Sequence, residues 1–483
     1  MSSSRNSQSS KPQNHPTAQP SNRPTTQPSN RKTAKPPNRK TTQPSNRPTV
    51  KPQNRKKELE QFKRLQNLFK GDRIIWMIFF MLCIISVVEV YSSSSILGYK
   101  SGNYWFAAFY HTILLFVGLG AMVCVLNVPC RYFKIMTPLL VPLSIILLLL
   151  VYIIGTKEND AARWIKLFGV IPLQPSEIAK GTMVLATAHI LSQLQTPVGA
   201  HPKAFGYVML TAGALILLVL PENFSTAALM GLTVFLMMII GRVPWKQLGY
   251  LVSGVVIAGV MGITLILTVG QSKTNTEADS DGKQLTEVVE GGAQKKEEVA
   301  TPKRGGVLHR LDLWHQRIDD FLDDTYVAPR DYDLDKKGQV GHANIAIASS
   351  HFTGVGPGNS VQRDFLPLAF SDFIYAIIFE ELGWLGAAFV ALLYIMLLFR
   401  VGIIAKRCEN TFPAYLAMGL ALLIVIQAIF NMMVAVGLAP VTGQPLPLIS
   451  KGGTSSIINC IYIGVILSIS RTAKISPKYK DLN

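Results

Sequence analysis

Long apolar segments recur along this chain, and they constrain its fold more than any other feature. A transmembrane helix needs about 20 consecutive apolar residues, because the hydrocarbon core of a bilayer is about 30 Å thick. The segments predict an all-α polytopic membrane protein with about ten transmembrane helices. The predicted spans are residues 74–93, 106–128, 136–155, 177–194, 205–221, 223–241, 248–270, 372–400, 412–437 and 452–470.

The predicted spans divide the chain into six parts. A long polar stretch follows the seventh span, so we expect a large extracytoplasmic loop between helices seven and eight. Within it, GHANIAIASSHFTGVGPGNS predicts a short helix and a Gly-rich turn that pack against the membrane domain. The parts are a basic tail at 1–57, a juxtamembrane segment at 58–73, helices one to seven at 74–270, the loop at 271–371, helices eight to ten at 372–470 and a C-terminal tail at 471–483.

The N-terminal tail is basic and repetitive. Residues 1–73 carry 17 Lys and Arg residues but only three acids, which accounts for most of the net charge of +18. Asn-Arg returns every eight residues, in octads such as SNRPTTQP and SNRKTAKP. A sequence rich in Pro, Asn, Thr and Lys cannot bury a core, so it predicts a disordered tether. Contact with anionic lipid is the first alternative. Nucleic-acid binding is disfavoured, because no aromatic residue precedes Phe62.

The basic residues between the spans predict the orientation of the chain. Short cytoplasmic loops of membrane proteins carry an excess of Lys and Arg. When the basic tail is placed in the cytoplasm, the short inner loops all carry Lys or Arg. We therefore expect a multi-pass membrane protein with both termini in the cytoplasm. The inner basic residues are Arg131, Lys134, Lys203, Arg242, Lys246, Arg400, Lys406 and Arg407.

The five cysteines indicate neither a disulfide framework nor a metal site. They lie in or beside predicted helices, and their spacing matches no zinc motif. No cluster of candidate ligands in the sequence requires a metal ion. The cysteines are Cys83, Cys124, Cys130, Cys408 and Cys460.

Three acids lie at or inside the eighth predicted span, in FLPLAFSDFIYAIIFEELGWLG. A charged side chain at the centre of a membrane helix costs about 2.5–3.5 kcal/mol on insertion scales, so we expect each acid to have a role. Asp372, where the outer loop meets the apolar run, is a candidate for chemistry. Alternatively, Asp372 has no chemical role and lies at the membrane–water interface, where its side chain reaches water. Glu380 and Glu381 are predicted to be structural or to line a cavity, by capping buried donors or by pairing with another helix.

Further polar residues gather on the same outer side. QPSEIAK places Glu177 and Lys180 three residues apart on one helix face, as a structural ion pair or as part of a binding site. The outer loop GLAPVTGQPLPLISKGG is either a helix breaker or the lining of a cavity. Transporters spread ionisable groups through the membrane depth, whereas this concentration favours a cavity that opens outward. The other members of the group are Glu89, His111, Glu222, Thr442, Gln444, Ser450 and Lys451.

Four motifs carry a resemblance to a known family. ARWIKLFGVIPLQPSEIAK, GVGPGNS, SDFIYAIIFEELGWLG and PVTGQPLPLISKGGTSS resemble signatures of the SEDS family (shape, elongation, division and sporulation) of bacterial cell-wall membrane proteins. The resemblance runs from residue 71 to 471 and leaves out the octad tail and the insert at 271–306. It is closer to the division-associated, FtsW-like branch than to the elongation-associated, RodA-like branch.

The resemblance implies a peptidoglycan glycosyltransferase that polymerises lipid II at the outer face of the cytoplasmic membrane. Lipid II is the undecaprenyl-pyrophosphate-linked disaccharide-pentapeptide. Asp372 aligns with the family's presumed catalytic aspartate, and Glu177 and Lys180 align with its QPSE-x-x-K pair. The resemblance also implies septal cell-wall synthesis, with a class B penicillin-binding protein and other division-complex proteins as partners.

The chain departs from the family pattern immediately before Asp372. Where the family usually shows L-P-E-A-H-T-D, this sequence reads LPLAFSD. Leu368 therefore replaces the acid and Phe370 replaces the histidine. Either neither group is required here, or a neighbour such as Asp364 substitutes.

Extending a glycan from a lipid pyrophosphate needs a base for the acceptor hydroxyl, cations for the pyrophosphate and a groove for isoprenoid chains. Asp372 is the predicted base. A divalent cation, Mg²⁺ or Mn²⁺, could share the charge of the pyrophosphate with the basic side chains. The predicted substrate and pyrophosphate-binding set is Arg163, Glu177, Lys180, Gln444, Ser450 and Lys451, and the predicted cavity-lining set is Glu89, Glu380, Glu381 and Thr442.

The eighth and ninth predicted helices also offer a surface for a membrane partner. AAFVALLYIMLLF and AYLAMGLALLIVIQAIF have broad apolar faces, and the second contains Ala414, Ala417, Gly419 and Ala421. Small residues allow helices to approach closely in lipid, so these faces predict a groove for the partner's transmembrane helix. The alternative is contact with lipid or with other helices of this chain.

Two other classes of function compete with the enzyme. A flippase for lipid-linked precursors would need polar groups on both sides, and the inner halves of these spans offer little beyond Gly, Ser and Thr. A non-catalytic scaffold of the division complex would tolerate replacement of Asp372 without loss of glycan synthesis.

Overall fold

The computed structural model of this chain describes residues 70–93, 104–158, 161–167, 171–269, 315, 338–366 and 369–473. The predicted tail at 1–57, residues 58–69, the insert at 271–306, Leu368 and residues 474–483 lie outside the described residues. The domain boundaries inferred from the sequence stay predictions.

Apolar helices make up most of the described chain. The first group is α1 (Arg73–Ser93), α2 (Tyr104–Leu126), α3 (Cys130–Ile154), α4 (Pro175–Gln193), α5 (Pro202–Val219), α6 (Phe224–Ile240) and α7 (Trp245–Val269). The second group follows the large loop and is α8 (Gly338–Ser349), α9 (Ile374–Arg407), α10 (Thr411–Ala435) and α11 (Thr454–Ala473).

Length and apolarity identify the helices that suit a membrane. Within the described residues, eight helices qualify: α1, α2, α3, α5, α7, α9, α10 and α11. α6 is apolar but has only 17 residues, and α4 is less apolar because Glu177 and Lys180 lie in its first turns. The predicted polytopic, mainly helical membrane fold is confirmed, and the number of ten crossings stays a prediction.

A buried acid fixes the start of the first helix. Asp72 caps α1 by accepting a hydrogen bond from Ile74 N at 2.9 Å. Arg400 of α9 pairs with the same carboxylate at 2.7 Å, and Ser470 of α11 accepts from the Asp72 amide at 2.9 Å. These contacts join three helices at the end where α1 begins.

Helix α10 is one of the two most buried membrane helices described, together with α11. It packs against α4, α6, α9 and α11, and 72% of its apolar 18-residue stretch is buried, against 6% for α7. A Cβ on Gly419 would lie 2.6 Å from Val184 Cγ1 and from Met237 Sδ, so glycine is needed where α10 meets α4 and α6. Ala417 and Ala421 are fully buried. The predicted docking groove on the small residues of this helix is therefore wrong, because they pack inside the chain.

A small antiparallel sheet interrupts the helical fold between α3 and α4. Its strands are β1 (Thr156–Glu158), β2 (Ala161–Leu167) and β3 (Ile171–Leu173), in the order β1-β2-β3. Ile165 pairs with Leu173, and its side chain is buried. Thr454 Oγ1, at the start of α11, donates to Pro172 O at 3.0 Å and ties the sheet to the bundle. The predicted spans at 136–155 and 177–194 place this segment in an outer loop without strands.

Candidate active site

Three connecting segments contact one another at one end of the bundle, through Gln444 with Thr226 at the start of α6 and through Ser450 with Ser371. They are the described residues 350–366 and 369–373 before α9, residues 436–453 between α10 and α11, and the α5–α6 turn at 220–223. The predicted short helix in the large loop is confirmed as α8, and it packs against α9. Asp372, which is half-buried, lies at this end, two residues before α9 begins.

The backbone around Asp372 is held by α10 and by the α10–α11 loop. Asn431 Nδ2 donates to Asp372 O at 2.8 Å, and Ser450 Oγ donates to Ser371 O at 2.6 Å. The Asp372 carboxylate accepts from Ser371 Oγ at 2.9 Å. A Cβ on Gly443 would lie 3.6 Å from Asp372 Oδ2, so the loop passes directly beside the carboxylate. Two segments that are distant in sequence thus fix one acid at the edge of the bundle.

Lys451 lies next to Asp372 in the fold. Its backbone N–H donates to Phe370 O at 2.9 Å, and its Nζ lies 4.8 Å from the centre of the Phe370 ring, within cation–π range. Burial lowers the pKa of Lys451 below its usual 10.5. Phe370, which stands where the family usually has histidine, therefore contacts a cation of the candidate site.

The α10–α11 loop is anchored by buried polar side chains. Gln444 Nε2 donates to Thr226 Oγ1 on α6 at 2.8 Å, and Asn431 Nδ2 donates to Gln444 O at 2.8 Å. Ser450 Oγ accepts from Leu446 N at 2.7 Å. Two of these hydrogen bonds satisfy loop backbone groups that have no helical hydrogen bond. Buried polar groups need such partners. Gln444 and Ser450 therefore hold the loop in place.

The Glu177–Lys180 pair supports the same loop from inside the bundle. The two charges lie 2.8 Å apart and are almost fully buried. Lys180 Nζ also donates to Gln427 Oε1 at 2.8 Å, and Gln427 Nε2 donates to Pro445 O at 2.9 Å. A continuous chain of bonds therefore runs from α4 through α10 to the loop beside Asp372.

A break in α9 explains the two acids inside its apolar run. Gly383 has φ 69° and ψ −172°, which lies outside helical geometry. Residues 351–356 of the large loop enter this break, where Val355 N donates to Glu380 O at 3.0 Å and Gly356 N donates to Glu381 O at 2.8 Å. A Cβ on Gly383 would lie 2.4 Å from Gly354 N, so both backbones approach as closely as glycine permits.

The carboxylates of Glu380 and Glu381 then bind the next turn of the large loop. Glu380 accepts from Val361 N at 2.9 Å and from Ser360 Oγ at 2.5 Å. Glu381 accepts from Ser92 Oγ and from Ser360 N, the latter at 3.3 Å. Each acid thus accepts hydrogen bonds from the large loop, whose Ser360 is buried at this contact. This geometry fits the structural interpretation of the two acids, which stays a prediction.

A second cluster of polar side chains, on α1 and α2, lies beside the site. Ser86 Oγ donates to Ile449 O at 2.7 Å and lies 2.8 Å from His111 Nε2. Because the hydroxyl proton is already donated, His111 Nε2 carries the proton and donates to Ser86. Glu89, one turn further along α1, is fully buried, and neither of its carboxylate oxygens has a hydrogen-bond partner among the described residues.

The remaining predicted residues lie at the same end of the bundle. Arg163 lies on β2, but the placement of its side chain is outside what the structure describes. Thr442 is half-buried in the α10–α11 loop. Within the described residues, no group of three His, Cys, Asp or Glu side chains could hold a metal ion, so a divalent cation stays a prediction.

Two amide side chains that connect the network were not predicted from the sequence. Gln427 and Asn431 lie four residues apart, hence on one face of α10, and both are buried. The signal was present, because they are polar residues at helical spacing in the apolar run ALLIVIQAIFNMM. Tyr394, whose hydroxyl donates to Pro447 O, is a further anchor of the loop.

These features define a class of protein. The described chain is a multi-pass, mainly helical membrane protein, and a buried polar network fixes an acid at one end of its bundle.

The chain belongs to the FtsW, RodA and SpoVE family of cell cycle proteins, whose family model matches residues 72–280 and 307–475. It is 30% identical over 405 residues to a probable peptidoglycan glycosyltransferase FtsW of Idiomarina loihiensis, with 82% of this chain and 86% of the relative covered. It is 31% identical over 398 residues to the protein of the same name from Coxiella burnetii, with 80% and 93% covered.

Solved structures share the fold. One is a chain from work on the structural coordination of polymerization and crosslinking by a peptidoglycan synthase complex, with a TM-score of 0.59, 20% identity and 84% of this chain and 99% of that chain covered. Another is the rod shape determining protein RodA of Thermus thermophilus, with a TM-score of 0.55, 19% identity and 84% and 98% covered.

Proposed function

We propose that this chain is a peptidoglycan glycosyltransferase that polymerises lipid II into glycan strands at the outer face of the cytoplasmic membrane, in septal cell-wall synthesis. The observation that carries the proposal is Asp372, a half-buried carboxylate whose flanking backbone is fixed by two segments distant in sequence. The name of two relatives, probable peptidoglycan glycosyltransferase FtsW, supports the same activity.

Asp372 acts as the base in this proposal. Its carboxylate takes the proton of the acceptor sugar hydroxyl while that oxygen attacks the anomeric carbon of the donor. The bond between this carbon and the pyrophosphate oxygen breaks, and the lipid pyrophosphate leaves with the electron pair. A positioned general base contributes about 10²–10⁴-fold to such a reaction.

Lys451 is the cation that we assign to the pyrophosphate. Burial removes part of the hydration of its ammonium, which is why its pKa is lowered. A phosphate oxygen would restore a charge-assisted hydrogen bond. The Phe370 ring, two residues before Asp372 in the chain, holds the ammonium before substrate arrives. Arg163 stays a candidate for the same role, on the evidence of the sequence alone.

Glu177, Lys180, Gln444 and Ser450 are positioning residues in this proposal. The sequence analysis placed them in the substrate-binding set. Their side chains are buried and bonded to each other or to the α10–α11 loop, which supports an indirect role. They hold the backbone beside Asp372 and do not touch the pyrophosphate.

The orientation of the bundle follows from its charges. Asp372 lies at the end where α4, α6 and α9 begin, and Arg131, Lys203, Arg242 and Lys246 lie at the opposite end. By the positive-inside rule the basic end faces the cytoplasm, so Asp372 faces outward and both termini are cytoplasmic.

The partner that we propose is the single transmembrane helix of a class B penicillin-binding protein, within the division complex. Because the small residues of α10 are buried, the docking surface moves to the outward face of α9. Phe389, Leu392 and Phe399 are exposed along this face at helical spacing. A partner docked there lies on the helix that begins two residues after Asp372.

The proposal is tested with the purified chain, its transpeptidase partner and labelled lipid II, with polymer separated on a gel. We expect polymer from the chain with its partner and none from the partner alone. A scaffold would give no polymer in either reaction, and a flippase would move lipid II across vesicles without elongating it. Either of these results would refute the enzyme assignment.

A further inference from the structure

A cavity of about 670 Å³ lies at the end of the bundle opposite Asp372. It is formed by the α4–α5 loop and the α6–α7 loop, together with the first turn of α7. Neither loop takes part in the proposed reaction. Its lining includes Val198, His201, Ile239, Arg242, Trp245 and Leu248.

Hydrogen bonds between the two loops preform the walls of this cavity. Ala200 N donates to Arg242 O at 3.2 Å, and Gln247 Nε2 donates to Pro202 O at 3.1 Å. A Cβ on Gly199 would lie only 2.6 Å from Arg242 O, so the loops touch through their backbones. Arg242 has φ 55°, a left-handed conformation that is uncommon for a residue with a side chain. The cavity is therefore a fixed feature and needs no ligand to form.

The two loops that form the cavity carry basic residues and no acidic ones. His201 and Arg242 line it, and Lys203 and Lys246 are exposed within four residues of them. Residues 194–203 and 241–248 contain no Asp or Glu. An anion that entered the cavity would meet Arg242 in its lining, Lys203 and Lys246 exposed nearby, and no acid of either loop.

The surroundings of the cavity suit lipid. Trp245 is 76% exposed and Val198 is 90% exposed at its rim, and tryptophan is enriched where a membrane meets water. Tyr207 and Leu210 on α5 and Tyr250 on α7 are also exposed, on the two helices that begin at the cavity. A polar group in the cavity could therefore carry acyl chains that lie along these two helices.

We infer that this cavity binds the headgroup of an anionic phospholipid from the leaflet at that end, with its phosphate on Arg242 and Lys246 and its acyl chains along α5 and α7. Basic pockets between membrane helices bind anionic headgroups in this way. The bound lipid would contact the α4–α5 loop and the α6–α7 loop and hold them together. The site is separate from the proposed active site, and its existence does not depend on the proposed reaction.

Tryptophan quenching by brominated lipid tests the site directly, because Trp245 lines it. The full chain is placed in vesicles that mix phosphatidylglycerol with phosphatidylcholine at fixed proportions. In one preparation the phosphatidylglycerol is brominated, and in the other the phosphatidylcholine is. The mole fraction of brominated lipid is the same in both. The fluorescence difference between the wild-type chain and Trp245→Phe isolates the signal of Trp245 from that of the other tryptophans. Vesicles present both leaflets, so the result is independent of orientation.

We expect brominated phosphatidylglycerol to quench Trp245 more strongly than brominated phosphatidylcholine. Arg242→Asn, which tolerates the left-handed backbone, should lower the relative affinity for phosphatidylglycerol about fivefold, as removal of one membrane-proximal cation does. Adding Lys246→Gln should abolish the preference. Arg131→Gln, an exposed cation outside the cavity at the same end, should leave it unchanged. Circular dichroism and elution volume establish that each variant is folded.

Two results would overturn the inference. Equal quenching by the two lipids in the wild-type chain would mean that Trp245 contacts only bulk lipid. An equal loss of preference in Arg131→Gln and Arg242→Asn would mean that the general positive charge of this end, and not the cavity, selects the lipid.

Discussion

Asp372 and the acid pair Glu380–Glu381 lie within ten residues of each other, yet the fold treats them differently. Glu380 and Glu381 are buried and accept hydrogen bonds from the docked loop at 360–363 and from Ser92. Asp372 is half-buried, and its position is held through backbone contacts. The two buried acids accept hydrogen bonds from a loop, which fits a structural role. Asp372 lies half-buried at the edge of the bundle, where the proposed chemistry needs a carboxylate.

The largest expected effect comes from the buried ion pair that supports the Asp372 end. Lys180→Ala should destabilise the chain by about 3–5 kcal/mol, because Glu177 is left as an uncompensated buried charge. The melting temperature in detergent measures this loss, and polymerisation should fall with it. Lys180→Met, which keeps the volume, should be nearly as unstable. A variant that melts like the wild type but has lost activity would instead place Lys180 in contact with substrate.

The break in α9 gives the next largest effect. Gly383→Ala should cost about 1–3 kcal/mol in backbone strain alone, and its Cβ would also displace the loop at Gly354. We expect faster proteolysis of the 350–366 segment and a lower melting temperature. Gly402→Ala is the matched control, because it lies in the same helix with no atom within 4 Å of its Cβ. Equal protection of the segment in both variants would show that the loop does not depend on the break.

Lys451 provides a pH test of the site. Because burial lowers its pKa below 10.5, this lysine loses its charge in the folded chain at a lower pH than in an unfolded one. The KM for lipid II should therefore rise as pH increases through that lowered value. The fold, in contrast, should gain stability from this group over the same range, because the cost of burying the charge disappears.

Two substitutions sharpen the pH test. Lys451→Arg, which stays charged, should extend low-KM behaviour to higher pH. Lys451→Met should raise KM by about 10- to 100-fold at neutral pH, as expected for one charge-assisted hydrogen bond. An alkaline limb that is the same in the wild type and in Lys451→Arg would exclude Lys451 as the pyrophosphate cation.

The smallest effect is expected from the N-terminal tail. Deletion of residues 2–55 should leave polymerisation in detergent unchanged, because these octads offer no group that the proposed chemistry needs. Localisation in cells is the measurement expected to change. Loss of polymerisation by a folded, truncated chain would contradict the tether interpretation.

Much of the fold could be predicted from the sequence, because the thickness of the bilayer sets the length of an apolar helix that spans it. The short helix in the large loop was predicted for a similar reason, since its pattern is local. The break at Gly383 was not readable, because it depends on residues 351–356 meeting residues 380–385. The small residues of α10 led to the wrong prediction of a docking groove for a physical reason. Helix packing within a chain and docking of a partner in lipid use the same close approach, so Ala417 and Gly419 fit both.

The candidate site was predicted in part. The position of Asp372 and the pairing of Glu177 with Lys180 followed from the motifs, and the structure shows the pair 2.8 Å apart. The burial of that pair could not be read from spacing, because an ion pair at i and i+3 looks the same on an exposed and on a buried helix face. The roles of all these residues in catalysis stay predictions.

The central claim is that Asp372 is chemical and Glu380 is structural, and one paired measurement tests it. Asp372→Asn and Glu380→Gln are compared for lipid II polymerisation and for melting temperature in the same preparation. We predict that Asp372→Asn loses about 10²–10⁴-fold in rate with an unchanged melting temperature. Glu380→Gln should lower the melting temperature, because an amide cannot accept from all the donors of the loop, and should keep activity in proportion to the folded fraction. Polymer formation near the wild-type rate by folded Asp372→Asn would contradict the account.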